Sequence, residues 1–249
     1  MPLPTVILPG FFESAQAYYG LEKSLQNLGF PTVTVPLQRR DWIATLGGRP
    51  VTPILQQLDY TVKRILEQES VSQINLIGHS AGGWISRIYL GGVPYGKLNR
   101  NLLTGTHENI CSPKTKFGRE PLTWQAHPKV ATLVTLGTPH TSLERWTRSS
   151  LDFVNSNYPG AFYEKVRYVC VAGKTIFGKR RFGNWLAFSS YKLTCGKGNT
   201  WGDGITPIEA AHLDGAQNLV LDDVMHSPRT SKVWYGSQKF LPIWTQYLA

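Results

Sequence analysis

The run Gly78-His79-Ser80-Ala81-Gly82 satisfies G-x-S-x-G in full. It follows an apolar run at 73–77 and leads into a helix-like segment at 81–90. Strand, tight turn and helix are what a nucleophile elbow requires. Ser80 would be held at the turn in a strained conformation, with small residues at 78 and 82 letting strand and helix approach. Its hydroxyl would then stand over a helix N-terminus, where anionic intermediates are stabilised. An ordinary turn between a strand and a helix can carry the same pattern, so partners decide the matter.

A serine hydroxyl is a weak nucleophile and needs a base oriented by a carboxylate. With an elbow serine the partners follow in the order Ser, acid, His. Asp203, in Trp201-Gly202-Asp203-Gly204, comes after a late apolar run, and His226, in His226-Ser227-Pro228, comes after the last one. The competitors fit less well. His212 lies only nine residues beyond Asp203, His140 precedes the acid, and His107 and His127 lie in a stretch with no clear period. Asp222 and Asp223 are too close to His226 in the chain. The bland alternatives are a turn aspartate in an Asp-Gly pair and a surface histidine. The predicted triad is Ser80, Asp203 and His226.

A tetrahedral intermediate also needs N–H donors at its oxyanion. The amide of Ala81 is one. The turn Pro9-Gly10-Phe11-Phe12 after the first apolar run supplies the other, with Phe11 preferred over Phe12. The side chains of Phe11 and Phe12 either line an acyl pocket or pack into the core. His79, pinned beside the nucleophile and unsuited as the base, is placed with Phe12 among the substrate-binding residues.

The elements that must hold these groups are legible as β-branched runs at 5–8, 32–35, 73–77, 131–136, 166–172 and 218–221. They lack polar alternation, which suits strands buried on both faces. Helix-like segments lie at 14–28, ending at Gly29, at 52–68, opened by Pro53, and at 81–90, ending at Gly91-Gly92. Alternating strands and helices imply an α/β fold with a mostly parallel sheet of about six strands and helices on both faces. Residues 91–129 and 173–202 break the rhythm, and structureless stretches this long are uncommon unless functional. They are expected to be insertions into a single domain spanning 1–249, placed to form a cap or lid.

Composition narrows the function classes. The 249 residues are 41% hydrophobic, 12% aromatic and only 17% charged, which excludes a disordered chain. Three cysteines, Cys111, Cys170 and Cys195, exclude a disulfide scaffold and show no CxxC spacing, so no metal site is expected. Cys170 reads as a buried thiol, and a Cys111–Cys195 pair is the disfavoured alternative. No cofactor is expected. Gly173-Lys174-Thr175-Ile176-Phe177-Gly178-Lys179 matches GxxxxGK, but Arg180 stands where a phosphate loop needs Ser or Thr. No apolar run reaches membrane-spanning length, and no signal peptide is apparent, so the cytoplasm or a membrane surface facing it is favoured.

The net charge of +10 is unevenly placed. Between Glu164 and Asp203 there is no acid, while Lys165, Arg167, Lys174, Lys179, Arg180, Arg181, Lys192 and Lys197 are all basic. Phe177, Phe182, Trp185, Leu186, Phe188 and Tyr191 are interleaved with them. This suits peripheral contact with an anionic membrane as readily as a solvated basic face, and no nucleic-acid-binding pattern accompanies it.

The elbow GHSAGG, the Leu136-Gly137-Thr138-Pro139-His140 run, the late Gly-Asp-Gly-x-x-Pro and His226-Ser227-Pro228 resemble serine esterases and lipases of the α/β-hydrolase superfamily. The likeness extends to cyanobacterial and plastid α/β-hydrolases through Arg40-Asp41-Trp42, Trp201-Gly202-Asp203-Gly204 and Ala211-His212-Leu213. It covers most of the chain, least well at 91–129. It implies the same triad and a reduced sheet of about six parallel strands. Pro9-Gly10 stands where the His-Gly before the oxyanion residue is usual. The expected activity is a serine carboxylic-ester hydrolase, a lipase on membrane or neutral acyl lipids, working through an acyl-Ser80 intermediate. The alternatives are an acyltransferase, thioesterase or pigment-ester hydrolase with the same triad, or a non-catalytic lipid-binding protein.

Overall fold

Apolar runs without alternation become the middle of a sheet. In the computed structural model, which describes residues 2–96 and 122–249, β1 (Thr5–Leu8) is buried along its whole length. β2 (Thr32–Thr34) lies beside it. β3 (Ile74–His79) is buried at every position and β4 (Val130–Leu136) at all but one. β5 (Arg167–Lys174) is followed by a short antiparallel pair, β6 (Ile176–Phe177) and β7 (Trp201–Gly202), and then by β8 (Gln217–Asp222). The main sheet has the order β2-β1-β3-β4-β5-β8, and every pair in it is parallel.

Parallel neighbours need crossovers, and helices supply them. The chain forms α1 (Tyr19–Asn27), α2 (Thr52–Glu69), α3 (Ala81–Leu90), α4 (Arg145–Asn157), α5 (Trp185–Cys195), α6 (Ile208–Ala211) and α7 (Leu241–Thr245). Successive strand residues point to opposite faces, so one strand feeds two cores. Val6, Leu76 and Leu133 pack with residues of α2, α3 and α4, while Ile7, Ile77 and Val134 pack with α1 and α7. This is the expected sheet with helices on both faces.

Several local expectations change. The helix foreseen from residue 14 opens as a 3₁₀ turn, Ala15–Tyr18, before α1 begins. β8 is mostly exposed, because it lies at the sheet edge and has a partner on one side only. Residues 173–202 are ordered into β6, α5 and β7 rather than left without structure. α5 hides from a periodicity argument because it is apolar on its outward as well as its inward face. Of the first insertion, the described flanks meet in a bridge between Tyr95 and Leu122. Residues 97–121, with His107 and Cys111, lie outside the described residues, so the Cys111–Cys195 question lies outside them too. Cys170 is buried. Among the described residues no helix is long and apolar enough to cross a membrane.

Candidate active site

The predicted site residues Ser80, Asp203 and His226 lie towards the carboxyl ends of the strands, and Asp203 and His226 are in direct contact. Ser80 sits between β3 and α3 with φ 52° and ψ −123°. Such a backbone costs a non-glycine residue about 1–3 kcal/mol and persists only where its surroundings enforce it. The enforcement is visible. The Ser80 amide donates to Leu136 O of β4 at 2.9 Å. A Cβ on Gly78 would lie 2.5 Å from Gly83 Cα, and one on Gly82 would lie 2.4 Å from the Leu8 carbonyl oxygen. Glycine at both positions therefore lets β1, β3 and α3 close around the serine.

Asp203 follows β7 and is fully buried. Four donors share its carboxylate. The amides of Ile205 and Thr206 donate to Oδ1 at 2.9 and 2.7 Å. The Tyr235 hydroxyl and His226 Nδ1 approach Oδ2 at 2.6 and 2.7 Å. Burial opposes the charge on Asp203, but His226 alongside and these hydrogen bonds outweigh it and hold the carboxyl below the usual range. The aspartate of an ordinary turn would bond only the two amides. This one does so and also faces a histidine.

His226 follows β8 and is held at three points. Its amide donates to Asp203 O at 3.1 Å, its ring Nδ1 pairs with Asp203, and its carbonyl accepts from His79 Nε2 at 2.9 Å. A carboxylate can only accept, so Nδ1 carries the proton and Nε2 of the neutral ring is left as the acceptor, the form a general base needs. Among the described residues no hydrogen bond joins the Ser80 hydroxyl to His226.

No family model matches this sequence, and no curated protein matches it. Solved structures do. A gene product from Listeria innocua is similar over 93% of this chain and 90% of its own, at 12% identity and a TM-score of 0.50. An α/β-hydrolase enzyme from the sediment metagenome of the Mar Chica lagoon is similar over 99% and 90%, at 13% identity and a TM-score of 0.49. The architecture rests on the parallel six-stranded sheet and the strand–turn–helix at Ser80, with the Listeria innocua structure alike in fold. The chain has the α/β-hydrolase fold. Identities this low speak to the fold alone, so the chemistry has to be argued from the site.

In this α/β-hydrolase fold the turn after β1 lies next to the elbow. A Cβ on Gly10 would come within 3.0 Å of Ser80 Cβ. Glu13 N donates to Gly10 O at 3.0 Å, closing the turn, and Phe12 adopts a positive φ of 56°. Phe11 and Phe12 are 46% and 37% exposed and meet edge to face at 4.7 Å. Both rings are thus partly open beside the elbow, while Phe11 also packs edge to face on the buried Trp42 at 5.4 Å. Among the described residues neither the Phe11 nor the Ala81 amide donates to a protein acceptor, which leaves both N–H groups available.

His79 requires a correction. It was expected at the substrate, yet it is 2% exposed and both ring nitrogens are engaged within the protein. Nε2 faces a carbonyl and must donate, so Nδ1 accepts from the Tyr18 hydroxyl at 2.7 Å, whose oxygen accepts the Gly10 amide at 2.9 Å. Burial, and repulsion from His226, push the His79 pKa down to about 3 and keep the ring neutral. A hydrogen-bonded chain thus runs from the turn at Gly10 through Tyr18 and His79 to the backbone of His226.

Sequence reasoning missed Tyr18 and Tyr235. No motif marks either, since Tyr235 meets Asp203 from 32 positions away and Tyr18 meets His79 from 61. The GxxxxGK match does not form a phosphate loop. Gly173 lies inside β5, its amide donates to the Tyr235 hydroxyl at 2.9 Å, and α5 opens only at Trp185. His140 is buried beside Arg87 and Cys170, away from Asp203's carboxylate.

Proposed function

We propose that the protein is a serine hydrolase of carboxylic esters, with Ser80 as nucleophile, His226 as base and Asp203 as the acid that orients it. The observation that carries this reading is the His226 Nδ1–Asp203 Oδ2 pair at 2.7 Å. A buried acid with four donors commits the imidazole to one tautomer.

In the first step His226 Nε2 takes the Ser80 proton as Oγ attacks the acyl carbonyl, and the Ser80–His226 hydrogen bond closes with substrate in place. Negative charge develops on the former carbonyl oxygen, facing the Phe11 amide in the turn after β1 and the Ala81 amide at the N-terminus of α3. Collapse expels the alcohol, protonated by His226, and leaves acyl-Ser80. Water, deprotonated by the same ring, attacks this ester and frees the acid and Ser80. The exposed Phe11 and Phe12 beside the elbow favour an apolar acyl group, so acyl lipids are the proposed substrates.

A fluorophosphonate probe should label the wild type on Ser80 and leave Ser80→Ala unlabelled. Equal labelling of the two proteins would remove Ser80 from the mechanism.

A further inference from the structure

α5 shows the solvent a face that a surface helix ordinarily keeps polar. Ala187 and Tyr191 turn inward and are buried, whereas Trp185, Leu186 and Leu193 are 58%, 73% and 55% exposed. These positions fall on one side of the helix. Phe182, in the turn before α5, is completely exposed. Leu143, more than half exposed, extends the patch and is tied to the helix by its amide, which donates to Leu193 O at 2.8 Å. Single exposed apolar residues are ordinary, but a contiguous patch with a charged rim marks an interaction surface.

The rim is basic. Lys179, Arg180, Arg181 and Lys192 are exposed around the patch, and residues 165–202 contain no Asp or Glu. The Arg180 guanidinium lies 5.0 Å from the Phe188 ring centre and Lys179 Nζ 5.5 Å from that of Phe177, so these cations sit over aromatic surface. α5 is also fixed to the acid loop. The Tyr191 hydroxyl accepts the Gly204 amide at 2.8 Å, and Ser190 donates to Ile205 O at 2.6 Å. Whatever α5 binds is therefore held near Asp203.

We infer that the outward face of α5, with the turn at Phe182, is a docking surface for a bilayer carrying anionic lipid. The cations meet the headgroups and the apolar side chains enter the boundary of the acyl region. A nucleic acid would use the cations and stack on the aromatic rings, but it would give Leu186, Leu193 and Leu143 nothing to bury against. Docking does not depend on the reaction assigned to Ser80, so S80A protein serves for the binding measurements and failure of one reading is distinguishable from failure of the other.

The test is flotation of full-length S80A protein with phosphatidylcholine vesicles, with and without phosphatidylglycerol. Retention is expected on the anionic vesicles at low salt, with release as salt rises. A cation near such a surface is worth about fivefold in affinity, so Arg180→Gln with Arg181→Gln should weaken binding by about 30-fold. Trp185→Ser with Leu186→Ser should weaken it too, while the salt dependence stays. All four side chains are exposed, and an unchanged melting temperature shows that the fold is kept. Independently, brominated acyl chains should quench tryptophan emission in the wild type and quench it less in Trp185→Phe. Lack of retention on anionic vesicles, indifference to both double substitutions, equal quenching in Trp185→Phe, or tighter capture by single-stranded RNA than by vesicles would overturn the inference.

Discussion

His79 Nε2 donates to the carbonyl oxygen of His226 across 2.9 Å, so the residue before Ser80 holds the backbone of His226. Tyr18 completes this link by donating to His79 Nδ1 and accepting from Gly10. The turn after β1, the elbow and the loop of His226 therefore share one buried chain of hydrogen bonds. An ion pair between Glu13 and Arg229 ties the same two loops together at the surface.

Tyr18→Phe isolates this chain. It leaves the Gly10 amide without its acceptor, a loss of about 1–3 kcal/mol in stability. Misplacement of catalytic groups by about an ångström can cost up to ~10²-fold in rate. We expect kcat on a short-chain ester to fall within that range with KM little changed, and fluorophosphonate labelling to slow without disappearing. Wild-type kcat in Tyr18→Phe would show that the chain does not position His226.

Asp203→Asn keeps the shape and reverses the hydrogen bonding. The amide nitrogen can donate to His226 Nδ1, which puts the ring proton on Nε2 and blocks it as a base. A loss on the order of 10⁴-fold in kcat is expected. Tyr235→Phe removes one of the four donors to the carboxylate and should do far less. A drop smaller than tenfold in Asp203→Asn would take Asp203 out of its assigned role.

Gly82→Ala tests the closeness of the elbow. The added Cβ would lie 2.4 Å from a backbone oxygen of β1, which cannot swing away as a flexible side chain could. Overpacking typically costs about 1–3 kcal/mol, and a backbone contact belongs at or above the upper end. The melting temperature should fall by several degrees, in line with ~1 kcal/mol for each ~2–4 °C. An unshifted melting temperature would mean that β1 and α3 have room to separate.

Stability should weaken as the pH is lowered. The folded His79 takes up a proton only near pH 3, whereas an unfolded histidine does so near ~6.5. Above the unfolded value the two states bind protons equally. Below it the unfolded chain alone is protonated, so stability is lost as pH falls towards 3, by up to about 1.4 kcal/mol per pH unit for one histidine. His140, held low by burial and by Arg87, acts with the same sign. Urea unfolding between about pH 4.5 and 7 should show this slope, and His79→Gln should flatten it by roughly one histidine's share. An identical slope in the variant would mean that His79 is not the neutral buried group the hydrogen bonds require.

Much of the fold is written in short stretches of the chain. All six runs without polar alternation became strands of one parallel sheet: for the inner strands burial on both faces removes the need for a polar side, whereas β8, at the edge, is mostly exposed. The elbow was readable for the same reason. Its strand, turn and helix are consecutive, and its glycines at 78 and 82 answer contacts made within a few residues and with the neighbouring β1. Chain order then pointed to Asp203 and His226. α5 was not readable, since a helix apolar on two sides has no period to detect.

What only the tertiary structure decided is who meets whom across the sheet. From sequence, His79 was a side chain beside a nucleophile, and nothing in GHSAGG says which way it faces. Packing of α1 against the sheet brought Tyr18 against the His79 ring, whose other nitrogen faces the backbone of His226. Likewise, the Tyr235 hydroxyl reaches Asp203 only because the segment after β8 folds back over the end of β5, where it also accepts the Gly173 amide. Local pattern reports how a residue relates to its own strand or helix. The partners of a buried polar group are set by the cost of leaving desolvated donors and acceptors unpaired, and that cost is balanced only across the folded whole.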